Sequence, residues 1–396
     1  MEPESRQMNI ISNTNNRNIN SLSRTSSNSQ KQPHQKITLF LPSLRGGGAE
    51  KIMVYLANGF AQRGFAVDLV LVKAEGPYLP LVSDQVRVID LNCPRVLASL
   101  PSLIRYLKTE KPHAILSTLD DANVIAIIAR FLSGGSQKIV VRVANSWSSL
   151  MLYEKGIRLR VTQVLAKYLY PGVNQVIAVS EGVSEDLVKS HNIPQNKVTT
   201  IYNPAITPEL LDKIQEPLNH PWFAPGELPV ILSVGRLTVA KDFTTLIRAF
   251  AHLNQRHSAR LMILGEGKDR AKLELLVKSL GLEEQVSLPG FVDNPFPYMK
   301  QASVFVLSSC FEGMPNALLQ AIACGTPVVS TDCPSGPREI LEDGKWGQLV
   351  PVGDVEAMAE AIMASLQGET QRPSREILES RFGLDTIVDQ YLSILI

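Results

Sequence analysis

Three groups of residues have the types and spacing to handle an anionic ligand. The run SVFVLSS leads into a loop carrying Glu312, Gly313, Pro315 and Asn316, and a helix is expected to follow through Cys324, with Gly325 as its C-terminal stop. Glu312 would stand at the mouth of a cleft, Gln320 falls one turn after Asn316 on the same helical face, and the backbone N–H groups of Asn316, Ala317 and Leu318 would point at a phosphate. Upstream, Arg236 and Lys241 in SVGRLTVAKDF bracket a turn into a helix beginning near Asp242. Cations at a helix N-terminus oppose its dipole, so this pair favours an anion between them, and an arginine fork with a lysine point charge suits a diphosphate better than bulk solvent. The third group is Gly46, Gly47 and Gly48, between the first strand and a helix from Ala49 whose Met53, Leu56 and Phe60 share one apolar face. Glycines there admit an anion to backbone N–H groups. The run has neither G-x-G-x-x-G nor G-K-[ST] spacing, and it reads equally well as a flexible strand-to-helix turn.

The elements that must hold these groups follow from hydrophobic patterning. From Lys36 short β-rich runs alternate with helical stretches: KITLFLP, AVDLVLVK, VRVIDL, HAILS, KIVVRV and QVIAVS. A second series runs through PVILSVG, ARLMILG, QVSLPG, SVFVLSS and TPVVST. Such alternation predicts parallel sheets covered on both faces, an α/β chain of two Rossmann-like domains. Between the series, the stretch 203–229 carries prolines 204, 208, 217, 221, 225 and 229, which interrupt any continuous helix or sheet. The expected organisation is a disordered Asn/Ser/Gln-rich tail over 1–35, a first domain over 36–203, a linker over 204–228, a second domain over 229–381 and a C-terminal helix over 382–396. Open α/β sheets bind ligands beyond the carboxyl ends of their strands, so the cleft between two such domains is the expected site.

Composition narrows the classes. The 396 residues carry 39 Lys+Arg against 38 Asp+Glu, a net charge of +1 that lacks the field of a non-specific nucleic-acid binder. Cys93, Cys310, Cys324 and Cys333 form no C-x-x-C pair and no histidines have ligand spacing, so neither a metal site nor a disulfide scaffold is expected. With no long apolar run and no signal-peptide pattern, the expectation is a soluble protein in a reducing cytoplasm.

Taken together, RGGGAE (45–50), AVSEGV (178–183), IYNP (201–204), VGRLTVAK (234–241), LPGFVDNPFPYM (288–299) and the run SSCFEGMPNALLQAIACGTPVVSTDCPSGPREILEDGKWGQLVPVGD (308–354) resemble glycosyltransferase family 4 from Lys36 to Ile396. The likeness is to the branch that makes surface polysaccharides and lipopolysaccharide. It implies the GT-B fold, with a C-terminal helix crossing back onto the first domain. It further implies retaining transfer from a nucleoside diphosphate sugar, a UDP-sugar above all, to a glycan or lipid-linked acceptor. No D-x-D pair occurs in the sequence and Arg236 and Lys241 can neutralise the diphosphate, so neither a metal nor another cofactor is expected. By the same resemblance, Arg236 and Lys241 grip the donor diphosphate, and Glu312 is the first glutamate of an E-x7-E motif, against the transferred sugar. Gly235 belongs to the donor site, Gly313, Asn316, Ala317 and Leu318 hold sugar and phosphates, and Phe291 and Val292 fall in the nucleobase pocket. Gly46, Gly47 and Gly48 face them from the acceptor domain.

Two positions depart from the family pattern. The second glutamate, which binds the ribose, is Gln320 here, losing a charge-assisted hydrogen bond worth about 1.5–3 kcal/mol. The histidine that many relatives carry before Asn145 is Ala144, which leaves Asn145 to substitute in part. Bland roles are expected elsewhere: Asp120, Asp121 and Ser180 as helix caps, and Glu339 as a support for the turn 334–338 in preference to a contact with the sugar. The stretch 153–170, with Lys155, Arg158, Arg160 and Lys167, reads either as a membrane-facing surface or as a solvated helix. Rival classes are a nucleotide-binding oxidoreductase, a glycan phosphorylase or sugar-phosphate synthase, and a non-catalytic partner protein of the same fold.

Overall fold

The computed structural model describes residues 35–153, 156–368 and 371–396. The expected tail, save its last residue, and Lys155 therefore lie outside the described residues. Seven parallel strands form the first sheet: β1 (Lys36–Leu41), β2 (Ala66–Leu71), β3 (Val86–Asp90), β4 (Ala114–Thr118), β5 (Lys138–Val143), β6 (Gln175–Ala178) and β7 (Val198–Thr200), in the order β3-β2-β1-β4-β5-β6-β7. The second sheet holds β8 (Val230–Val234), β9 (Arg260–Leu264), β10 (Val286–Gly290), β11 (Val304–Leu307), β12 (Val328–Thr331) and β13 (Gln348–Val350), ordered β10-β9-β8-β11-β12-β13. Every run expected as a strand is one. The two additions, β7 and β13, are three-residue edge strands, too short to show a period in the sequence.

Alternate side chains of the strands serve opposite faces. Ile37, Leu39 and Leu41 of β1 pack with Met53, Leu56 and Phe60 of the helix Gly48–Gln62, while Phe40 joins Val70, Ile115 and Val141 on the other face. In the second sheet Ile231, Leu261, Val304 and Val329 pack on the helices Phe243–Asn254 and Val355–Leu366. The linker is less irregular than its prolines imply: Thr207 caps a short helix, Pro208–Lys213, whose proline sits in the first turn where no N–H is needed.

The last helix, Leu384–Leu395, crosses back onto the first sheet, as the GT-B resemblance implies. Ile387, Val388, Tyr391 and Leu395 enter the same apolar cluster as β1, and Arg63 pairs with Asp385 and Asp389. Gly59 sits so close to Val388 that a Cβ there would be 2.5 Å from its side chain, so a glycine lets the two helices meet. Each sheet reverses its winding once, between β1 and β4 and between β8 and β11. Ligands bind at such switch points, and the glycine loop and the loops carrying Arg236, Lys241 and Glu312 all leave these strands at their carboxyl ends.

Candidate active site

Gly235 follows the end of β8, and its N–H donates to the Leu264 carbonyl (3.0 Å). Gly265, at φ +146°, carries no Cβ because one would overlap the Gly235 carbonyl. The floor is therefore backbone, and the Lys241 stem lies across Gly235. Asp242, at φ +42°, turns the chain into the helix Phe243–Asn254 and accepts from the Thr245 N–H (3.3 Å) and hydroxyl (2.6 Å), so the helix starts where expected.

The loop after β11 is stitched to this turn. The Ser308 hydroxyl donates to the Lys241 carbonyl (2.7 Å) and the Cys310 N–H to the Ala240 carbonyl (2.8 Å). The stitching brings Lys241 Nζ onto the Glu312 carboxylate, which also accepts from the Ser309 hydroxyl (2.6 Å). Arg236 is exposed and its guanidinium has no partner among the described residues. Beyond Glu312 the helix Asn316–Ala323 begins, with Gly325 at φ +80° after its end. One expectation needs correcting here: the Leu318 N–H is bonded to the Pro315 carbonyl (3.1 Å), because the first turn closes on itself. Asn316 and Ala317 keep N–H groups without an internal acceptor among the described residues. Gln320 is half-buried one turn further on, while Phe291 (72% exposed) and half-buried Val292 follow the end of β10, two strands and so about 10 Å from β8.

The first half supplies the opposite wall. A Cβ on Gly48 would lie 3.2 Å from the Asn316 side-chain nitrogen. Gly46, at φ +114°, and Gly47 lead into that contact. Gly313 approaches so closely that a Cβ would overlap the Ala144 carbonyl and lie 3.1 Å from Asn145 Cα. The structure thus brings Gly48, Asn145, Gly313 and Asn316 together, with Glu312 and Lys241 beside them, and places Phe291 at the rim.

Three further links hold the wall closed, and one revises an expectation. Glu339 accepts from Gly336 N–H (3.4 Å), the turn it was expected to support. Its shorter bonds, however, go to the first half, from the N–H groups of Glu181 (2.7 Å) and Gly182 (2.9 Å), where Ser180 also caps Val183 (3.2 Å). The Tyr153 ring stacks on Phe311 at 5.0 Å, and Asn203 Nδ2 donates to Asn316 Oδ1 (2.8 Å). Asn203 thus lines the candidate site, a place that sequence reasoning passed over although it stands in the IYNP motif. Asp120 and Asp121 open the helix Asp120–Ser133 without capping it. Asp121 instead takes Arg158 and the Thr162 hydroxyl (2.6 Å), and burial pushes the Asp120 carboxyl up to about 6 against the hydrogen bond from Tyr170 (3.3 Å).

Residues 46–207 match the family described as Glycosyltransferase Family 4, and residues 228–368 that described as Glycosyl transferases group 1. The chain is 32% identical over 347 residues to the N-acetylgalactosamine-N,N'-diacetylbacillosaminyl-diphospho-undecaprenol 4-alpha-N-acetylgalactosaminyltransferase of Campylobacter jejuni, covering 85% of this chain and 92% of the relative. It is 37% identical over 176 residues to the lipopolysaccharide core biosynthesis glycosyltransferase LpsE of Rhizobium meliloti, 43% of this chain and 51% of LpsE. Among solved structures, HepE of Anabaena in complex with UDP and glucose superposes with a TM-score of 0.75 at 22% identity, over 91% of this chain and 99% of HepE, a likeness of fold. Matched in both halves and along nearly the whole length of a relative, the chain belongs to glycosyltransferase family 4 and is a glycosyltransferase of the GT-B fold.

Proposed function

We propose that the chain moves a hexosyl group from a nucleoside diphosphate sugar, with UDP as the nucleotide, to a hydroxyl of a lipid-linked glycan, with retention and without a divalent metal. The observation that carries this reading is the Lys241–Glu312 ion pair on a glycine floor, beside Arg236 and the N–H groups of Asn316 and Ala317, which have no partner among the described residues. As the anomeric C–O bond to the diphosphate breaks, negative charge grows on the leaving group and positive charge on the sugar. Cations and helix N–H groups stabilise the first, and the Glu312 carboxylate the second. The acceptor oxygen then bonds to the anomeric carbon on the face the diphosphate leaves, and its proton passes to a departing phosphate oxygen. Arg236 and Lys241 supply the positive charge that a metal would otherwise bring. The bound UDP and glucose of HepE and the diphospho-undecaprenol acceptor in the Campylobacter jejuni name support the choice of donor and acceptor.

The helix Ile157–Leu169 supports a membrane-associated acceptor and a place at the cytoplasmic face of a membrane. It buries Thr162, Gln163 and Ala166 and turns Ile157 (84% exposed), Val161, Val164, Leu165 and Tyr168 (78% exposed) outward, with Arg160 and Lys167 on the same helix. An apolar stripe facing solvent beside cations fits an anionic bilayer surface. No helix among the described residues is long and apolar enough to cross a membrane.

Gln320 and Ala144 favour a second reading, a partner protein without turnover. Release of nucleoside diphosphate from a panel of UDP-sugars, with polyprenyl-diphosphate-linked glycans as acceptors and with and without chelator, separates the two. Turnover that survives chelator is expected, and donor affinity should improve in Gln320→Glu. No turnover in either protein would support the non-catalytic reading, and loss on chelation restored by manganese would overturn metal independence.

A further inference from the structure

One buried cation is not used by any step described so far. Arg142 follows the apolar residues Ile139, Val140 and Val141 on β5, is 1% exposed, and among the described residues has no carboxylate within ion-pair distance. Its Nε has no hydrogen-bond partner among the described residues. Leaving a buried charge uncompensated is costly, so such a group is retained where something gains from it. Nη1 donates to the Thr118 hydroxyl (3.2 Å) and Nη2 to Asn203 Oδ1 (2.6 Å).

The chemistry of a guanidinium then orients everything downstream. Arginine only donates, so the Asn203 carboxamide must turn its oxygen toward Arg142 and its NH2 away. That NH2 meets Asn316, whose oxygen must accept it at 2.8 Å. The Asn316 NH2 is consequently forced outward, to the place where it faces Gly48. Two donating hydrogens are thereby added to the open N–H groups of Asn316 and Ala317, at the point where the two halves meet.

We infer that Arg142 is a positioning residue of the donor phosphate site: through Asn203 it holds the Asn316 amide with its NH2 toward the diphosphate, and its own charge is balanced only when that anion is bound. Because the relay starts on the first sheet and ends on the first residue of a second-half helix, it also ties phosphate binding to closure of the cleft. The inference rests on the donor site proposed above.

Asn203→Asp tests it, because a carboxylate at that position pairs directly with the guanidinium. A purely structural role for Arg142 predicts equal or better stability and unchanged ligand binding. The positioning role predicts a melting temperature no lower than wild type together with UDP affinity weakened about tenfold, since the outward NH2 is released and the free charge cancelled. Uridine, which has no phosphate, should bind both proteins alike by ligand-observed NMR. Should Asn203→Asp fail to fold by circular dichroism, Arg142→Lys, which keeps the charge and loses the fork, should weaken UDP binding and spare uridine. A folded variant that binds UDP as wild type does, or that loses UDP and uridine equally, overturns the inference alone. Failure of the wild-type chain to bind UDP overturns the donor site itself, and the inference with it.

Discussion

Lys241 Nζ rests on Glu312; under the proposed function the diphosphate must draw the ammonium toward itself and leave the carboxylate facing the sugar. Lys241→Ala and Arg236→Ala should each weaken UDP binding by roughly 1.5–3 kcal/mol, about ten- to a hundredfold, by calorimetry. Asp120 gives a pH-dependent prediction. Its carboxyl is held up to about 6, above the 3.8 of an exposed aspartate, so the folded chain binds more protons than the unfolded one between those values. Stability from this group is therefore greatest below 3.8 and falls as pH rises through the folded value, a loss of roughly 3 kcal/mol at neutral pH. Asp120→Asn should raise the melting temperature at pH 7, with the gain shrinking toward pH 4; a lower melting temperature at pH 7 would contradict the assignment. The charged members of the candidate site were legible because Arg236, Lys241 and Glu312 stand in loops directly after strands, where a charge has few structural uses. Arg142 and Asn203 were not, because their meaning lies in contacts 61 and 113 residues distant along the chain.

The elements that matter most are the loops leaving the switch-point strands, and at their glycines the contacts are backbone against backbone. Gly313 is the sharpest case, since any side chain would overlap the Ala144 carbonyl. Gly313→Ala should force the halves apart while leaving the turn from Gly235 to Lys241 intact. The expected result is UDP affinity weakened about tenfold, as the Asn203–Asn316 bond between the halves is lost, a larger radius of gyration by small-angle scattering and a drop in turnover of at least a hundredfold. An unchanged radius with full turnover would show that the contact is dispensable. Strand runs and the helix starting at Asp242 were readable from period and capping chemistry. Short edges such as β7 and β13 carry no period, and Glu339 could not be assigned across the cleft, because a carboxylate three residues into its own turn satisfies the local pattern equally well.

At the scale of the molecule, the two sheets share one apolar cluster that runs from Phe40 and Val141 to Phe305 and Leu318, and the C-terminal helix clamps the first sheet from the other side. That leaves the stripe on the helix Ile157–Leu169 as a broad apolar surface turned outward beside the cleft loop at Tyr153. Replacing Ile157 and Tyr168 together with serine should lower binding to vesicles rich in anionic lipid at least tenfold in a flotation assay, with turnover of a water-soluble acceptor unchanged. Equal flotation of the two proteins would remove the membrane-facing role. The central claim, that sugar leaves its diphosphate between Lys241, Glu312 and Asn316, is tested most directly by measuring UDP release from a UDP-sugar in the wild type and in Glu312→Gln. The account predicts turnover in the wild type and its near-complete loss in Glu312→Gln, with UDP still bound and the fold intact, whereas a Glu312→Gln variant as active as wild type would contradict it.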